Sequence, residues 1–119
     1  MNKTIATLLS AVSILSLTAC EEACTMEARL SARVHISDAD GEPMEGQVQF
    51  DAGDGLVDCY QIGSIIGDYS CAYEIGGDLD ILVSAEGYQN HIETVTIDSD
   101  VCHVITQELD IELVPEVQE

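Results

Sequence analysis

Apolar and polar residues alternate along most of the chain after residue 28. Between Leu30 and Ile36, apolar side chains occupy every second position, and Ser, Arg and His residues lie between them. A period of two is typical of a β-strand that buries one face and exposes the other. Further runs of this kind follow, separated by turn residues, and no segment has a convincing helical period. We therefore predict an all-β fold of seven short strands packed as a transthyretin-like or Ig-like β-sandwich.

The predicted strands follow one another closely along the chain. In order they are residues 30–36, a second strand at Val48 and Phe50, hairpin arms 56–62 and 68–75, and then 79–85, 88–97 and 102–114. The side chains of the last strand that we expect to face the core are Ile105, Leu109, Ile111 and Leu113. Because the chain has one Phe, four Tyr and no Trp, the core must consist mainly of Val, Ile and Leu.

The first nineteen residues have the features of a secretory signal peptide. Lys3 supplies a positive charge, and the apolar stretch 5–17 is too short and too rich in Ser and Thr to span a bilayer comfortably. The motif Leu17-Thr18-Ala19-Cys20 resembles a bacterial lipobox. This resemblance implies that residues 1–19 are removed and that Cys20 is acylated, which would anchor the chain in a membrane. The alternative is an ordinary secreted protein in which Cys20 lies near the cleavage site by chance.

The residues after Cys20 bear on location and on domain boundaries. Glu21 and Glu22 come next, and no Asp stands at the position usually linked to inner-membrane retention. The resemblance therefore implies a lipoprotein of the cell envelope, held in the outer membrane on its periplasmic or surface face. We expect a tether at 20–27, the sandwich at 28–114 and a tail at 115–119.

The remaining cysteines point to two disulfides. With Cys20 acylated, four are left, an even number that in a small exported domain favours disulfide bonds: Cys24, Cys59, Cys71 and Cys102. Four cysteines allow three connectivities. A hairpin centred on Ile65 places Cys59 opposite Cys71, which favours that pair and leaves Cys24 with Cys102 by elimination. No C-x-x-C is present and the spacings fit no zinc pattern well, so we predict no metal and no other cofactor.

The charge of the chain restricts its partners. There are 23 acidic residues and three basic ones, a formal net charge of -20. Such a surface repels phosphate backbones, so nucleic-acid binding is excluded, as is adhesion to anionic lipid through a basic patch. Because 46% of the residues are apolar, a folded domain is favoured over disorder. We expect the charge to keep an exposed domain soluble and to attract divalent cations weakly and without a specific site.

Candidate chemistry is sparse. Two acidic turns offer oxygen ligands for calcium, Asp38/Asp40/Glu42 and Asp51/Asp54/Asp58, but the first does not fit an EF-hand loop, and solvated turns are expected. No two of His35, His91 and His103 share a tight metal-binding spacing. There is no G-x-S-x-G motif, and no Lys remains after the predicted cleavage. A nucleophile needs a base oriented by a third group, and no such set stands out, so we predict that the protein is not an enzyme.

Two segments resemble carboxypeptidase regulatory-like domains. Residues 34–46, VHISDADGEPMEG, resemble the opening strand and Asp-rich turn of that family, and residues 82–88, LVSAEGY, look like its V-x-A-x-G-Y turn. The resemblance spans residues 30–114 and implies a seven-stranded transthyretin-like sandwich, a domain found beside carboxypeptidases, in surface proteins and in outer-membrane transporters. The family's Thr-Asp-x-x-Gly segment is reduced here to Gly67-Asp68-Tyr69. The cysteines and residues 102–107 are additions that look like those of a lipoprotein subgroup.

We therefore predict a non-catalytic, lipid-anchored envelope or surface protein whose sandwich is an interaction or accessory module. Its partner would be an envelope or surface protein or a glycan, met by an edge strand or by the loops at one end. One alternative is a carbohydrate-binding domain that stacks sugars on tyrosines, namely Tyr60, Tyr69, Tyr73 or Tyr88. Alternation places Tyr69 and Tyr73 on the same face as Cys71, so we expect these two in the core. The other alternative is an accessory or inhibitor of an envelope enzyme.

Overall fold

The computed structural model describes residues 24–117, which form two four-stranded β-sheets packed face to face. The eight strands are β1 (Leu30–Ser37), β2 (Gln47–Asp51), β3 (Leu56–Asp58), β4 (Tyr60–Gln61), β5 (Asp68–Tyr73), β6 (Gly77–Ser84), β7 (His91–Ile97) and β8 (Gln107–Glu112). No helix occurs between residues 24 and 117, so the predicted all-β sandwich is confirmed. In this part of the chain, no helix is long and apolar enough to cross a membrane.

The order of the strands defines two sheets and two ends. The first sheet has the order β4-β5-β1-β8 and the second β3-β2-β6-β7. All neighbours are antiparallel except β1 and β8, which run parallel. β1 and β8 begin, and β5 ends, at the same end of the first sheet, close to the point where the described chain begins. We call this the proximal end; the loops 38–46, 62–67 and 85–90 lie at the opposite, distal end.

The structure has eight strands where the sequence predicted seven, because the arm 56–62 divides at Cys59. The N–H of Cys59 still donates to Val48 O in the second sheet (2.8 Å). The next residue, Tyr60, already pairs with Ser70 in the first sheet. The chain therefore changes sheet at this residue, whose sulfur is bonded to the buried Cys71. The pairing of Gln61 with Tyr69 is symmetrical about Ile65, so the predicted hairpin centre is confirmed.

The core is built mainly from the predicted aliphatic residues of both sheets. Its fully buried large side chains include Ile36, Leu79, Ile81 and Leu113. The buried Tyr69 uses its hydroxyl here: the Tyr69 O–H donates to Gly46 O (3.0 Å) and accepts from Gly46 N–H (3.1 Å). Both sheets are thereby connected through the loop that precedes β2, since Tyr69 belongs to the first sheet.

The last strand differs from the prediction at its beginning. β8 starts at Gln107 rather than at residue 102, and Ile105, which was expected in the core, is exposed. The cause is the carboxylate of Asp100, which accepts the N–H groups of both Cys102 and His103 at 2.8 Å. These bonds close a turn and prevent this segment from being extended. β7 likewise starts at His91, three residues later than predicted.

A second difference concerns the end of β5. Tyr73 was expected in the core, but it is 55% exposed. Ala72, just before it, has a φ of 68°, and Glu74 has a φ of 55°. Left-handed residues interrupt the alternation of a strand, so Ala72 is buried and Tyr73 turns outward. The left-handed conformations of Ala72 and Glu74 also direct the Glu74 side chain toward the proximal end.

Candidate functional site

The proximal end carries the disulfide between Cys24 and Cys102, whose Cα atoms are 5.2 Å apart. The second disulfide joins Cys59 and Cys71. Both pairings agree with the prediction. The predicted lipidation site, Cys20, lies outside the described residues, as do the predicted signal peptide 1–19 and residues 118–119 of the predicted tail. The first described residue is therefore covalently attached to the segment between β7 and β8.

Glu74 joins three segments at this end. Its carboxylate accepts the backbone N–H of Arg29 (2.8 Å), the Nδ1–H of His103 (2.5 Å) and the backbone N–H of Val104 (3.2 Å). These donors hold the pKa of Glu74 below its usual value, and the N–H of Arg29 has the largest effect. The charged carboxylate thus connects the segment before β1, the end of β5 and the segment before β8.

A short relay extends from Glu74 to the tether. A carboxylate can only accept hydrogen bonds, so Nδ1 of His103 carries the hydrogen in their contact. In the neutral ring, Nε2 then accepts the hydroxyl hydrogen of Thr25, and the two atoms are 2.8 Å apart. The hydroxyl, imidazole and carboxylate have the order of a hydrolase triad. Sequence reasoning missed this set, because Thr25 lies 78 residues from His103 and no motif connects them.

Local bonds fix Glu74 in this position. The Ser31 hydroxyl donates to Ile75 O and accepts from Ile75 N–H, both at 2.9 Å. Ser31 is fully buried although the alternation of β1 places it on the outer face of the sheet. This reciprocal pair holds the residue after Glu74 against β1, and the carboxylate is therefore presented to the proximal end by the backbone itself.

A second polar cluster lies on the outer face of the first sheet. Arg33 Nη2 donates to Asp68 Oδ2 (2.6 Å), and His35 Nδ1 donates to Asp68 Oδ1 (2.5 Å). The Arg33 bond, followed by that of His35, lowers the pKa of Asp68, while the same pair raises the pKa of Arg33. The Asp68 side chain is only 8% exposed. With Glu108 and Asp110 these groups line a shallow depression, in which Arg33 and His35 both already contact the Asp68 carboxylate.

The two acidic turns use their first carboxylates to shape the loops. Asp38 Oδ1 accepts the N–H groups of Asp40 (2.9 Å) and Glu42 (3.0 Å). Asp51 Oδ1 does the same for Gly53 (2.7 Å) and Gly55 (3.2 Å). Each carboxylate is engaged in its own turn. Between residues 24 and 117, no group of three or more His, Cys, Asp or Glu side chains is placed to hold a metal ion.

The three histidines lie in different elements, His35 on β1, His91 on β7 and His103 before β8, each beside a different carboxylate. Besides the contacts of His35 and His103, His91 Nε2 lies 3.0 Å from Glu93 Oε1 on the edge strand β7. The tyrosines also separate. Tyr69 is buried, Tyr88 is half-buried, and Tyr60 is 71% exposed on β4. Exposed aromatic rings are therefore found on the β4–β5 side of the first sheet, at Tyr60 and Tyr73.

No protein-family model matches the chain, and no curated protein matches it. A solved structure that it is similar to is the Caf1A usher C-terminal domain, whose conserved hydrophobic surface clusters are important for F1 antigen assembly. The identity is 12% and the TM-score 0.44, and the match covers 72% of this chain and 98% of that one. The resemblances to carboxypeptidase regulatory-like domains and to lipoproteins remain predictions.

Proposed function

We propose that this chain is a lipid-anchored, non-catalytic protein of the cell envelope, held in the outer membrane, whose β-sandwich is an interaction or accessory module. The observation that carries the proposal is the disulfide at the proximal end. Cys24 lies four positions after the predicted acylated residue and is bonded to Cys102. An anchor at Cys20 would thus hold the folded domain by one end through a short link, with the distal loops directed away from the membrane.

The distal loop 62–67 offers a rigid apolar contact surface. Ile65 and Ile66 are each 50% exposed there. The loop is closed by the bond from Ile65 N–H to Ile62 O (3.1 Å), and Gly67 O accepts Ile36 N–H (2.9 Å). Exposed aliphatic side chains on an ordered loop are suited to protein contact, because little entropy is lost when they are buried. We therefore place the partner surface at Ile65 and Ile66.

The sheet edges are less suited to a partner strand. β3 and β4 have only three and two residues. On the edge strand β7, His91 and Glu93 pair with Val83 and Ile81, which are buried, so both polar residues stand on the core-facing side of the edge. Inward-pointing charged residues and short edge strands are features by which proteins prevent strand addition. This favours the distal loops over the edges at β3, β4 and β7 as the partner surface.

The relay at the proximal end is structural in this proposal. Glu74 binds two backbone N–H groups besides His103, and Thr25 directly follows a disulfide-bonded residue. We expect the protein to hydrolyse nitrophenyl esters no faster than a Thr25→Val variant does. Faster hydrolysis by the parent protein, with a rate that follows added protein, would contradict the non-catalytic assignment.

Carbohydrate binding is the second candidate function. It is favoured by the two exposed rings, Tyr60 and Tyr73, since sugars commonly stack on aromatic side chains. A glycan array with the parent chain and a Tyr60→Ala/Tyr73→Ala variant tests this alternative. Binding that the double variant loses would support it over a protein partner.

The main proposal is tested in the native envelope. The full chain, with a photo-crosslinking residue at Ile66, is isolated from the membrane fraction, and its intact mass is measured. We expect a chain that starts at acylated Cys20, lacks four thiol hydrogens and crosslinks to one recurrent envelope protein. The matched control carries the crosslinker at Ile92, which is exposed on the outer face of β7. A soluble chain without acyl groups, or equal products from both positions, would contradict the proposal.

A further inference from the structure

The two most exposed large hydrophobic side chains of residues 24–117 flank the same disulfide. Met26, two positions after Cys24, is 99% exposed, and Val101, directly before Cys102, is 86% exposed. They belong to segments that lie far apart in the chain and are brought together by the Cys24–Cys102 bond. Isolated surface residues of this kind are frequent, but these two share a position next to the predicted anchor.

The predicted anchor fixes how far this end can be from a bilayer. Four peptide steps separate Cys20 from Cys24, and a fully extended chain spans about 3.5 Å per residue, so the two Cα atoms are at most about 14 Å apart. The disulfide transmits this restraint to Cys102, because the Cα atoms of the bonded pair are 5.2 Å apart. Met26 and Val101 therefore lie within reach of the lipid interface whenever Cys20 is acylated.

We propose that the proximal end is a membrane-contact surface, on which Met26 and Val101 insert into the interface of a phospholipid bilayer. This inference rests on the proposed lipid anchor and specifies the orientation of the domain above it. The acyl chains supply the attachment, and the two side chains turn a flexible link into a fixed one, since burial of apolar surface adjacent to an anchor adds to membrane affinity. The distal loops then point away from the membrane.

The charges around the surface determine which lipid it fits. Glu27, Asp98 and Asp100 lie close to the two apolar side chains in sequence. The nearest cation, Arg29, lies 3.7 Å from a carboxylate oxygen of Glu27. Hydrogen bonds from the N–H groups of His103 and Cys102 lower the pKa of Asp100, which keeps this carboxylate charged. A surface of this kind is repelled by anionic headgroups, so the inference is specific to a zwitterionic phospholipid surface.

The absence of tryptophan makes a direct test simple. Single variants Met26→Trp and Val101→Trp of the full acylated chain are reconstituted into phosphatidylcholine vesicles that contain lipids brominated near the headgroup. The matched control is Ile66→Trp, an exposed distal position. β1 alone has eight residues, so the two ends are about 25 Å apart. Intact mass confirms acylation in every sample, and titration of free thiols confirms both disulfides wherever all the cysteines are kept.

We expect quenching at positions 26 and 101 that is about threefold or more stronger than at position 66, because only the proximal rings reach the bromine atoms. Replacing a third of the lipid by the anionic phosphatidylglycerol should weaken the quenching at positions 26 and 101, because the acidic surface is repelled. A Cys24→Ser/Cys102→Ser background should reduce the quenching at position 101 while the chain stays on the vesicles. Equal quenching at all positions in an acylated chain would overturn this inference alone. A chain without acyl mass would overturn the proposed anchor and the inference with it.

Discussion

Removal of the surface disulfide Cys24–Cys102 is expected to cost more stability than removal of a typical surface contact. The perturbation is Cys24→Ser/Cys102→Ser in a full chain that also carries Cys20→Ser, so that lipid and a spare thiol do not interfere. Cys24 is exposed and Cys102 half-buried, so serine leaves no large cavity. What is lost is mainly the restraint on the unfolded chain, which the bond closes over a separation of 78 residues.

The magnitude follows from the size of that loop. The chain-entropy model gives about 4.5 kcal/mol for a loop of this length and about 3 kcal/mol for the shorter loop of Cys59–Cys71. A domain of this size has about 5–15 kcal/mol of stability in total. At about 4–8 °C per kcal/mol for 60–100 residues, the melting temperature should fall by about 20 °C or more.

The assay is urea unfolding followed by far-ultraviolet circular dichroism, with the Cys20→Ser chain as reference. The midpoint should fall and the m-value should rise, because the unfolded chain becomes less compact when the long loop opens. A control without the serine substitutions is the reference chain treated with a mild reductant that opens only Cys24–Cys102. It shows whether the loss comes from the missing bond or from the serine side chains. A loss below about 2 kcal/mol, or an unchanged m-value, would refute the account based on loop closure.

Three further changes test the rest of the structure. Asp68→Asn should destabilise the protein by about 2 kcal/mol, since it removes the charged partner of Arg33. The pKa of Asp68 is lower in the folded state than in the unfolded chain. The stability that Asp68 contributes is therefore fully present above the unfolded pKa of about 4 and is lost as the pH falls below that value. Urea midpoints from pH 7 to 2 should therefore fall less steeply in the variant, and parallel curves would contradict this. Gly67→Ala should cost about 3 kcal/mol, because its Cβ would lie 2.9 Å from Ile36 O at a φ of 88°. Gly77→Ala is the control: with a φ of 92° and open space around its Cβ, it should cost only about 1 kcal/mol. Equal losses of stability in the two variants would show that the contact with Ile36 O contributes nothing. Finally, the net charge of -20 predicts a higher melting temperature in 0.5 M than in about 0.02 M sodium chloride, and identical values would count against self-repulsion.

The fold was largely predictable because the information is local. The alternation of β1 depends on side chains at every second position, and the structure buries Ala32, Val34 and Ile36 as expected. The hairpin centre at Ile65 followed from symmetry, and it led directly to the pairing of Cys59 with Cys71. Where an element obeys the two-residue period throughout, the sequence alone determines which face is buried.

The departures arise where one backbone residue breaks that period. The left-handed conformation of Ala72 reverses the face of the following residue, and no feature of the sequence distinguishes this alanine from any other strand residue. At β8 the cause is a local hydrogen bond: the Asp100 carboxylate accepts the N–H of Cys102, and the resulting turn shortens the strand. Such a side chain competes with the strand for backbone N–H groups, and alternation alone does not reveal which of the two prevails.

The clusters at Glu74 and Asp68 were not predictable, because their members meet only after the sheets form. His103 and Glu74 are 29 residues apart, and Arg33 and Asp68 are 35 apart. In a chain with 23 acidic residues, composition does not indicate which carboxylates are structural. The structure distinguishes these two by their donors, since every hydrogen bond that they accept comes from a residue 29 or more positions away in the chain.

The two disulfides have different roles, and their positions explain why a small domain carries both. Cys59 and Cys71 are buried and fix the point at which the chain passes from one sheet to the other. Cys24 and Cys102 lie at the proximal end, where Glu74 and His103 already connect the tether to the sheet through hydrogen bonds. Hydrogen bonds between exposed groups exchange readily with water and resist a sustained displacement poorly. In the proposed lipid-anchored arrangement the domain is attached through this segment, and the covalent bond prevents motion of the anchor from separating residues 24–29 from the sheet.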